Sequence, residues 1–315
     1  MMLSIIIPCY NEEGAIPLLY KHVIDVLKEI GMSYELIFVN DGSKDNTLLQ
    51  LKLLAKKDNH VKYISFSRNF GKESSMLAGL SYASGQAVII MDADLQHPPL
   101  LIKEMINAFH AGYDQVIAKR TRTGDSVSKT FFAKMYYKIV NHLTDVEMVD
   151  GVGDFRLLSR KAVDALLSLK ESNRFSKGLF SWIGFKQKII EYENQERQVG
   201  ETKWSFKKLF NYGVQGILSF NDKPLRITFQ LGLVCVLMSF LYILWTFITI
   251  LKEGVTVGGY FTTISAILVI GGVQLISIGV LGEYIGKIYY EVKKRPPYLI
   301  DDTNINVKES DHDIV

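Results

Sequence analysis

Short apolar runs separated by amphipathic stretches fill the first part of the chain. The runs predict five strands, at Leu3–Cys9, Tyr34–Val39, Val61–Phe66, Ala87–Met91 and Gln115–Ala118. The stretches between them place apolar residues at helical spacing, most clearly Ile16, Leu19, Val23, Val26, Leu27 and Ile30. Strand–helix units repeated at this length predict an α/β fold with a mostly parallel sheet and helices on both of its faces.

The pattern weakens after the fifth strand but still predicts alternating elements. A helix is predicted from Val127 to about His142, followed by a glycine-rich loop and a strand within Gly151–Leu158. A helix over Arg160–Leu169, a strand over Gln187–Tyr192 and a polar loop over Gln195–Trp204 come next.

Hydropathy rises sharply in the last third of the chain. Ile227–Leu251 and Tyr260–Gly282 contain no charged residue, and the first would span about 37 Å as a helix at about 1.5 Å per residue. Both are therefore predicted to cross a membrane. Trp204–Phe220 carries apolar residues on one helical face and lysines elsewhere, which favours a helix at the membrane interface over one packed on the domain. The predicted divisions are a cytoplasmic domain (1–203), an interface helix (204–226), two transmembrane helices (227–251 and 260–282) and a cytoplasmic basic segment with an acidic tail (283–315).

The distribution of charge orients this hairpin. Basic residues flank it on both outer sides, at Lys207, Lys208, Lys223, Arg226, Lys287, Lys293, Lys294 and Arg295. The connecting loop offers only Lys252, beside Glu253, so both termini are predicted to lie on the cytoplasmic side of the cell membrane. Of the net charge of +3, residues 301–315 carry −4 and the remainder +7. The acidic tail after Pro297 is predicted to be disordered.

Composition and motifs exclude several classes of protein. Cys9 falls in a strand and Cys235 in an apolar helix, so neither a disulfide nor a zinc site is expected. The apolar run Leu3–Ile7 is too short for a signal peptide. No Gly-x-Gly-x-x-Gly motif follows the first strand, which argues against a dinucleotide cofactor. The basic body suits phosphates or an anionic membrane surface.

Two carboxylates one residue apart follow the strand that ends at Met91. Because side chains alternate along an extended chain, Asp92 and Asp94 are expected to point to the same side. With the amide of Gln96 they form a candidate site for Mg²⁺ or Mn²⁺ that also holds substrate phosphates. The alternative is a strand exit with acidic turn residues, but the place just beyond a strand's carboxyl end favours a ligand site. His97 has no second histidine at ligand spacing and is interpreted as a turn residue.

Five short motifs recur in a fixed order along the chain. They are Pro8-Cys9-Tyr10-Asn11-Glu12, Asn40-Asp41-Gly42-Ser43, Ser67-Arg68-Asn69-Phe70-Gly71, Asp92-Ala93-Asp94-Leu95-Gln96 and Gly153-Asp154-Phe155-Arg156-Leu157-Leu158. Together they resemble the family 2 glycosyltransferases, and more narrowly the polyprenyl-phosphate glycosyltransferases related to dolichol-phosphate mannose synthase and the bactoprenol glucosyltransferases. The resemblance covers nearly the whole chain except the acidic tail, and it implies a GT-A-like nucleotide-sugar-binding fold. The Gln-x-x-Arg-Trp motif of the processive polysaccharide synthases in this family is absent.

The resemblance also implies a role for each motif. The residues expected to bind the nucleotide sugar are Pro8, Tyr10, Glu12, Asp41, Asp92, Arg197 and Lys203. The acceptor phosphate is expected at Arg120, Arg122 and Lys129, the metal at Asp92, Asp94 and Gln96, and catalysis at Asp154 and Asp94. Alternatives stay open: Asp41 could cap the helix that starts near Ser43, the basic cluster could be a solvated surface, and Lys203 could face lipid headgroups.

The implied activity is an inverting transfer of a hexose or N-acetylhexosamine to a polyprenyl phosphate such as undecaprenyl phosphate, for cell-envelope glycosylation. UDP-glucose or UDP-GlcNAc is favoured over GDP-mannose as the donor. A separate flippase and a downstream glycosyltransferase are expected partners, homo-oligomers occur among related bacterial enzymes, and no nucleic acid is expected. The alternatives are transfer to diacylglycerol or another membrane lipid, and a non-catalytic nucleotide-binding scaffold. Intact Asp92, Asp94, Gln96 and Asp154 count against the scaffold.

Overall fold

The computed structural model describes residues 1–121, 141, 151–171, 174–193, 223–253 and 259–305 of the chain. The described strands are β1 Met2–Cys9, β2 Ser33–Asn40, β3 Val61–Phe66, β4 Ala87–Ile90, β5 Gln115–Arg120, β6 Val152–Ser159, β7 Gln187–Tyr192 and β8 Ile300–Thr303. The described helices are α1 Ile16–Ile30, α2 Thr47–Lys57, α3 Lys72–Tyr82, α4 Leu101–His110, α5 Arg160–Ser168, α6 Ser176–Trp182, α7 Lys223–Glu253 and α8 Tyr260–Lys293.

All of these strands form one sheet in the order β7-β5-β6-β4-β1-β2-β3-β8. β1 pairs in parallel with β2 and β4, β2 with β3, and β5 with β7, whereas β6 and β8 run antiparallel to their neighbours. The predicted α/β fold with a mostly parallel sheet is therefore confirmed. The reversed direction of β6 was not predicted, because local hydrophobicity carries no information on strand direction, and β8 was not predicted as a strand.

The apolar strands are buried on both faces. In β1, for example, successive side chains alternate between two hydrophobic cores, one on each face of the sheet. Ile5 and Ile7 pack into a core with α1 and α4, whereas Ile6 faces the opposite core with α3, α5 and α6. α3 crosses β1 closely, since a Cβ on Gly79 would lie 2.2 Å from Cγ2 of Ile6. A side chain at this position would push the helix off the sheet.

Two long apolar helices follow the domain. α7 and α8 contain windows at Gln230–Thr249 and Val269–Lys293 with mean hydropathies of 2.3 and 1.5, none of it buried inside the protein. By length and composition, both are able to cross a membrane. α8 begins at the predicted Tyr260 but continues past Gly282 to Lys293. The predicted interface helix at 204–226 lies outside the described residues up to 222, and its residues 223–226 belong to α7. The helix at 127–142 and the polar loop at 195–204 also lie outside the described residues, apart from Asn141, which is helical.

The prediction of a disordered acidic tail is wrong for residues 298–305. β8 pairs antiparallel with β3 and forms the edge of the sheet, with Thr303 opposite Ile64. The side chain of Asn304 accepts from the Tyr63 N–H at 2.7 Å and donates to the Val61 carbonyl at 3.0 Å. These bonds use backbone groups and polar side chains, so an edge strand of this kind does not need the apolar composition by which strands are recognised.

Two further elements differ from the sequence prediction. Two adjacent prolines predict a helix start at Pro98-Pro99, whereas α4 begins at Leu101. The Pro98 and Pro99 carbonyls accept from Leu101 N–H at 3.1 Å and Ile102 N–H at 3.0 Å in the turn before it. A residue before proline disfavours the helical conformation, and Pro98 is such a residue. α6 was not predicted, since seven residues show too little periodicity.

Candidate active site

The polar residues gather where β4 and β6 meet at one edge of the sheet. β6 runs antiparallel to β4, and the register places Ile90 opposite Arg156. Asp92 follows Ile90 by two residues as the chain leaves β4, and Asp154 precedes Arg156 by two residues, near the start of β6. The opposite directions of the two strands therefore bring together two carboxylates that lie far apart in sequence.

A lysine bridges these two carboxylates. The Lys72 Nζ lies 2.6 Å from Oδ1 of Asp92 and 2.6 Å from Oδ2 of Asp154. The side chains of Asp154, Asp92 and Lys72 are 14%, 27% and 38% exposed, so solvent screens the cluster only in part. The bridge joins the motif expected to bind the donor to the residue expected to act on the acceptor.

Sequence reasoning missed Lys72 as a functional residue, although a signal was present. Lys72 is the first residue of α3, where the helix dipole is positive and a cation is unfavourable. The helix also starts at the carboxyl end of β3, on the side of the sheet where the predicted ligands collect. A cation placed against the dipole at this edge indicates a local concentration of negative charge.

The charges of the cluster hold each other in place. Burial alone would raise the pKa of Asp154, but Lys72, Lys177 and Arg156 outweigh it and hold this pKa well below its usual range. Burial would lower the pKa of Lys72, but Asp154 and Asp92 raise it well above its ordinary value. Asp154 is therefore a carboxylate and Lys72 an ammonium throughout the neutral pH range.

Asp92, Asp94 and Gln96 are each partly exposed, although the chain turns at Ala93 and Asp94 instead of staying extended as the sequence predicted. They alternate with the buried residues Ala93, Leu95 and His97. Leu95 adopts a φ of 62°, a left-handed conformation that a branched side chain rarely takes. The turn this produces lets the Gln96 N–H donate to Oδ1 of Asp94 at 3.2 Å.

These residues fit a divalent cation that is shared with a substrate. Among the described residues, no group of three or more His, Cys, Asp or Glu side chains is arranged to enclose a metal ion. Mg²⁺ usually needs only one or two protein carboxylates, and substrate phosphates and water complete its shell. Asp94 and Gln96 supply hard oxygen donors of this kind. Asp92 is the weaker candidate, because one of its oxygens already contacts Lys72.

The interpretation of His97 as a simple turn residue is incomplete. It lies in a bend, but it is buried, and its Nδ1 accepts from the Asp92 N–H at 3.0 Å. This bond assigns the remaining ring proton to Nε2, which lies 3.9 Å from Oδ2 of Asp92. Its ring stacks on Phe155 with centroids 4.7 Å apart. Burial lowers the pKa of His97, so it supports the metal-motif turn as a neutral ring.

Asp41 holds a neighbouring loop instead of the helix considered in the sequence. Its carboxylate accepts from the Phe70 N–H at 2.6 Å and from the Gly71 N–H at 3.0 Å. It therefore caps the entry to α3, whereas α2 begins only at Thr47. Burial raises the pKa of Asp41, although these bonds and the nearby Arg68 oppose the shift. Its expected contact with the base of a nucleotide stays a prediction.

The loop after β1 is fastened to the loop after β2. Asn11, at a left-handed φ of 54°, receives a bond at its side-chain oxygen from Lys44 N–H at 2.8 Å, and its own N–H donates to Ser43 Oγ at 2.9 Å. The Glu12 N–H donates to Thr47 Oγ1 at 2.9 Å. The nearby Pro8 and Tyr10 are likewise half-buried at this edge.

The predicted acceptor-phosphate residues are described only in part. Arg120 ends β5 opposite Tyr192 of β7, and its N–H donates to the Gly151 carbonyl at 2.9 Å. It therefore lies on the same edge of the sheet, on the β6 side. Arg122, Lys129, Arg197 and Lys203 lie outside the described residues.

Comparison with known families matches both parts of the chain. The family described as Glycosyl transferase family 2 matches residues 4–167, and the family described as GtrB C-terminal hairpin matches residues 223–288. The first match contains the whole edge described above, from Pro8 to Asp154. The second contains most of α7 and α8.

Individual relatives match over nearly their whole length. CsbB of Bacillus subtilis (strain 168), a protein named as a glycosyltransferase, is 58% identical over 98% of this chain and 94% of its own. The SfII prophage-derived bactoprenol glucosyl transferase of Shigella flexneri is 45% identical over 95% of this chain and 97% of its own. Among solved structures, glucosyl-3-phosphoglycerate synthase from Mycobacterium tuberculosis gives a TM-score of 0.46 at 18% identity, covering 69% of this chain and 76% of that one.

Proposed function

The chain belongs to glycosyltransferase family 2, and from this premise we propose that it transfers a sugar from a nucleotide diphosphate sugar to a polyprenyl phosphate. The transfer inverts the anomeric centre and takes place at the cytoplasmic face of a membrane. Similarity to bactoprenol glucosyl transferases extends through the hairpin of α7 and α8, which supports a lipid acceptor. The same relatives make glucose the first sugar to test, carried by UDP, with UDP-GlcNAc second.

One observation carries the catalytic part of the proposal: Lys72 bridges Asp92 and Asp154 at the sheet edge. The bridge fixes the carboxylate expected near the donor relative to the one expected near the acceptor before either substrate is bound. Groups held in advance need no reorganisation when charge develops during the reaction. A scaffold that only bound nucleotide would gain nothing from this arrangement.

Asp94 and Gln96 would hold a divalent cation, with Asp92 at its side. When bound, such a cation supplies positive charge to the departing nucleoside diphosphate. The chain's own contribution is the turn at Leu95, which lies between the two donors, and the buried His97, which supports it. Donor binding and metal binding are therefore expected to depend on each other.

We assign Asp154 to positioning rather than to proton removal. A general base works best with a pKa near the working pH, and the pKa of Asp154 is held far below it by Lys72, Lys177 and Arg156. A lipid phosphate has a second pKa of about 6 and is already largely a dianion at neutral pH. It attacks without losing a proton, so the acceptor needs orientation more than a base.

The membrane arrangement completes the proposal. Both termini lie in the cytoplasm, because basic residues flank the hairpin on its outer sides. Two helices enclose no polar path through the bilayer, so a separate flippase carries the lipid-linked sugar across and a downstream glycosyltransferase uses it. Arg120, Arg122 and Lys129 would receive the lipid phosphate, and Arg197 and Lys203 would close on the donor diphosphate.

The deciding experiment incubates purified full-length protein with Mg²⁺ or Mn²⁺ and labelled UDP-glucose, UDP-GlcNAc or GDP-mannose. Undecaprenyl phosphate and diacylglycerol are offered in separate reactions, and the lipid is extracted and counted. Label on undecaprenyl phosphate is the expected result. Label on diacylglycerol alone would replace the proposed acceptor. No transfer and no donor hydrolysis, with Lys72→Met behaving like the wild type in nucleotide binding, would favour a scaffold.

A further inference from the structure

The chain returns from the membrane hairpin directly to the catalytic domain. Only six residues separate the end of α8 at Lys293 from the start of β8 at Ile300. A connection of this length spans at most about 25 Å, at up to about 3.6 Å per residue. β8 then pairs with β3 at the edge of the sheet, on the side of the loops that follow β2 and β3.

An aromatic residue in this connection reaches into the domain. Tyr298 is buried, and its ring stacks on Phe66 with centroids 5.0 Å apart and planes at 12°. Phe66 in turn packs edge-on against Phe70 at 5.8 Å. The carbonyl of Leu299 accepts from the Ser67 N–H at 3.1 Å. The connection therefore contacts the segment 67–71 through both side chain and backbone.

The segment 67–71 is also held from the opposite side. Asp41 binds the N–H groups of Phe70 and Gly71. Gly42, at a φ of 62°, lies so close to the segment that a Cβ would be 2.3 Å from the carbonyl carbon of Arg68. Segment 67–71 is thus clamped between the loop after β2 and the chain that leaves the membrane.

The position of Lys72 depends on this clamp. Gly71 precedes α3, and Lys72 is its first residue. The ammonium that bridges Asp92 and Asp154 is therefore carried by a helix whose entry is fixed by Asp41 on one side and by Phe66 and Tyr298 on the other. A lysine has four rotatable bonds, so a fixed backbone origin is what limits the positions open to its charge.

We propose that Tyr298 is a positioning residue of the active site, through which the C-terminal strand holds segment 67–71 and thereby Lys72. The membrane hairpin and the donor side of the site then form one mechanical unit instead of two parts joined by a flexible tail. The catalytic consequence rests on the proposed function, whereas the structural coupling does not.

The structural coupling is tested by hydrogen exchange on the full-length protein without substrate. Tyr298→Leu keeps an apolar side chain but removes the stacked ring. We expect the amides of segment 67–71 to exchange about threefold to tenfold faster, the size expected for the loss of an aromatic pair. Tyr298→Phe keeps the ring and should exchange like the wild type. Leu299→Ala alters an exposed side chain in the same connection and serves as the matched control.

A second variant weakens the same strand without touching the aromatic stack. Asp302→Asn removes the ion pair with Lys52, whose atoms are 2.5 Å apart. Exchange of the same amides should rise about twofold, since an exposed ion pair contributes little. Unchanged exchange at 67–71 in both Tyr298→Leu and Asp302→Asn would overturn the proposal. So would equal acceleration in Leu299→Ala or in Tyr298→Phe.

The catalytic consequence is measured on the same variants. Tyr298→Leu should raise the KM for the nucleotide sugar or lower kcat, about threefold to tenfold in kcat/KM, and Tyr298→Phe should restore it. If the wild type transfers no sugar to undecaprenyl phosphate, the proposed function fails while the exchange result still decides the coupling. If exchange accelerates and kcat/KM stays unchanged, the coupling exists but Tyr298 does not position the site, which refutes its assigned role.

Discussion

Replacing Lys72 by methionine tests the central contact of the site. Methionine retains the length and much of the volume of the lysine stem but removes the ammonium that lies 2.6 Å from both Asp92 and Asp154. The two carboxylates then face each other without their shared cation. Lys72→Arg keeps the charge but changes its shape, and should retain more activity than Lys72→Met.

The size of the effect follows from the exposure of the three groups. Breaking a fully buried ion pair destabilises a protein by about 3–5 kcal/mol, because a charge is left buried without a partner. The side chain of Lys72 is 38% exposed, so water screens what remains, and we expect about 1–3 kcal/mol in the free energy of unfolding. Loss of a preorganised charge in an active site costs about 100-fold to 1,000-fold in kcat, and we expect a loss of this order.

A matched control exists at another partly exposed ion pair of the same domain. Lys62 contacts the buried Glu35 at 2.5 Å with a side chain 32% exposed, away from Lys72 and its two carboxylates. Lys62→Met should cost comparable stability but keep kcat within a few-fold of the wild type. Initial rates over a matrix of donor and lipid concentrations, with thermal unfolding of each variant, provide the comparison. Wild-type rates in Lys72→Met, or equal loss of activity in Lys62→Met, would refute the role of Lys72.

Four further outcomes are expected. Asp94→Asn should lose most activity, since an amide binds a hard cation more weakly than a carboxylate, and full turnover in excess chelator would contradict the metal assignment. Asp154→Asn should be slow, yet its rate should rise with pH through the titration of the lipid phosphate near pH 6 and then level off. Rescue of this variant only by strong alkali or an added base would instead show that Asp154 acts as a general base. In sealed vesicles, product should stay on the leaflet where the donor is supplied, and catalytic appearance on the far leaflet would exclude a separate flippase. Burial would raise the pKa of Glu35, but bonds from Lys62, Ser4 and Ser84 lower it. This carboxylate therefore stabilises the fold at neutral pH and loses its contribution as the pH falls. Glu35→Gln should reduce the drop in the thermal unfolding midpoint at acid pH, and an unchanged drop would exclude this contribution.

The sequence was informative wherever a residue's neighbours in the chain decide its environment. The alternation of Asp92, Asp94 and Gln96 with their neighbours is a local property of the sequence, and it appears in the structure as an alternation of partly exposed and buried residues, although the chain turns there instead of staying extended. The strands up to β5 were likewise visible, because each is a short run of apolar residues buried on both faces.

The features that were missed depend on pairings between distant segments. Asp154 meets Asp92 because Arg156 pairs with Ile90, and a register of this kind leaves no trace in either segment alone. Tyr298 follows two prolines in a charged region, and its buried position depends on the pairing of the residues after it with β3. His97 was judged by its missing metal partner, whereas its partner is the backbone of Asp92.

The site therefore handles its negative charge in two different ways. Lys72 is covalently part of the domain, so it offsets part of the negative charge of Asp92 and Asp154 and holds both side chains in the absence of any ligand. Asp94 and Gln96 supply hard oxygen donors, and we assign them to a cation that comes and goes with the donor diphosphate. If a metal ion had to neutralise all three carboxylates, the acceptor side would be disordered whenever the donor was absent, and the lipid phosphate would meet two unpaired negative charges. A tethered ammonium prevents this: the acceptor side stays ordered through each turnover, while the donor side is free to release its product together with the metal.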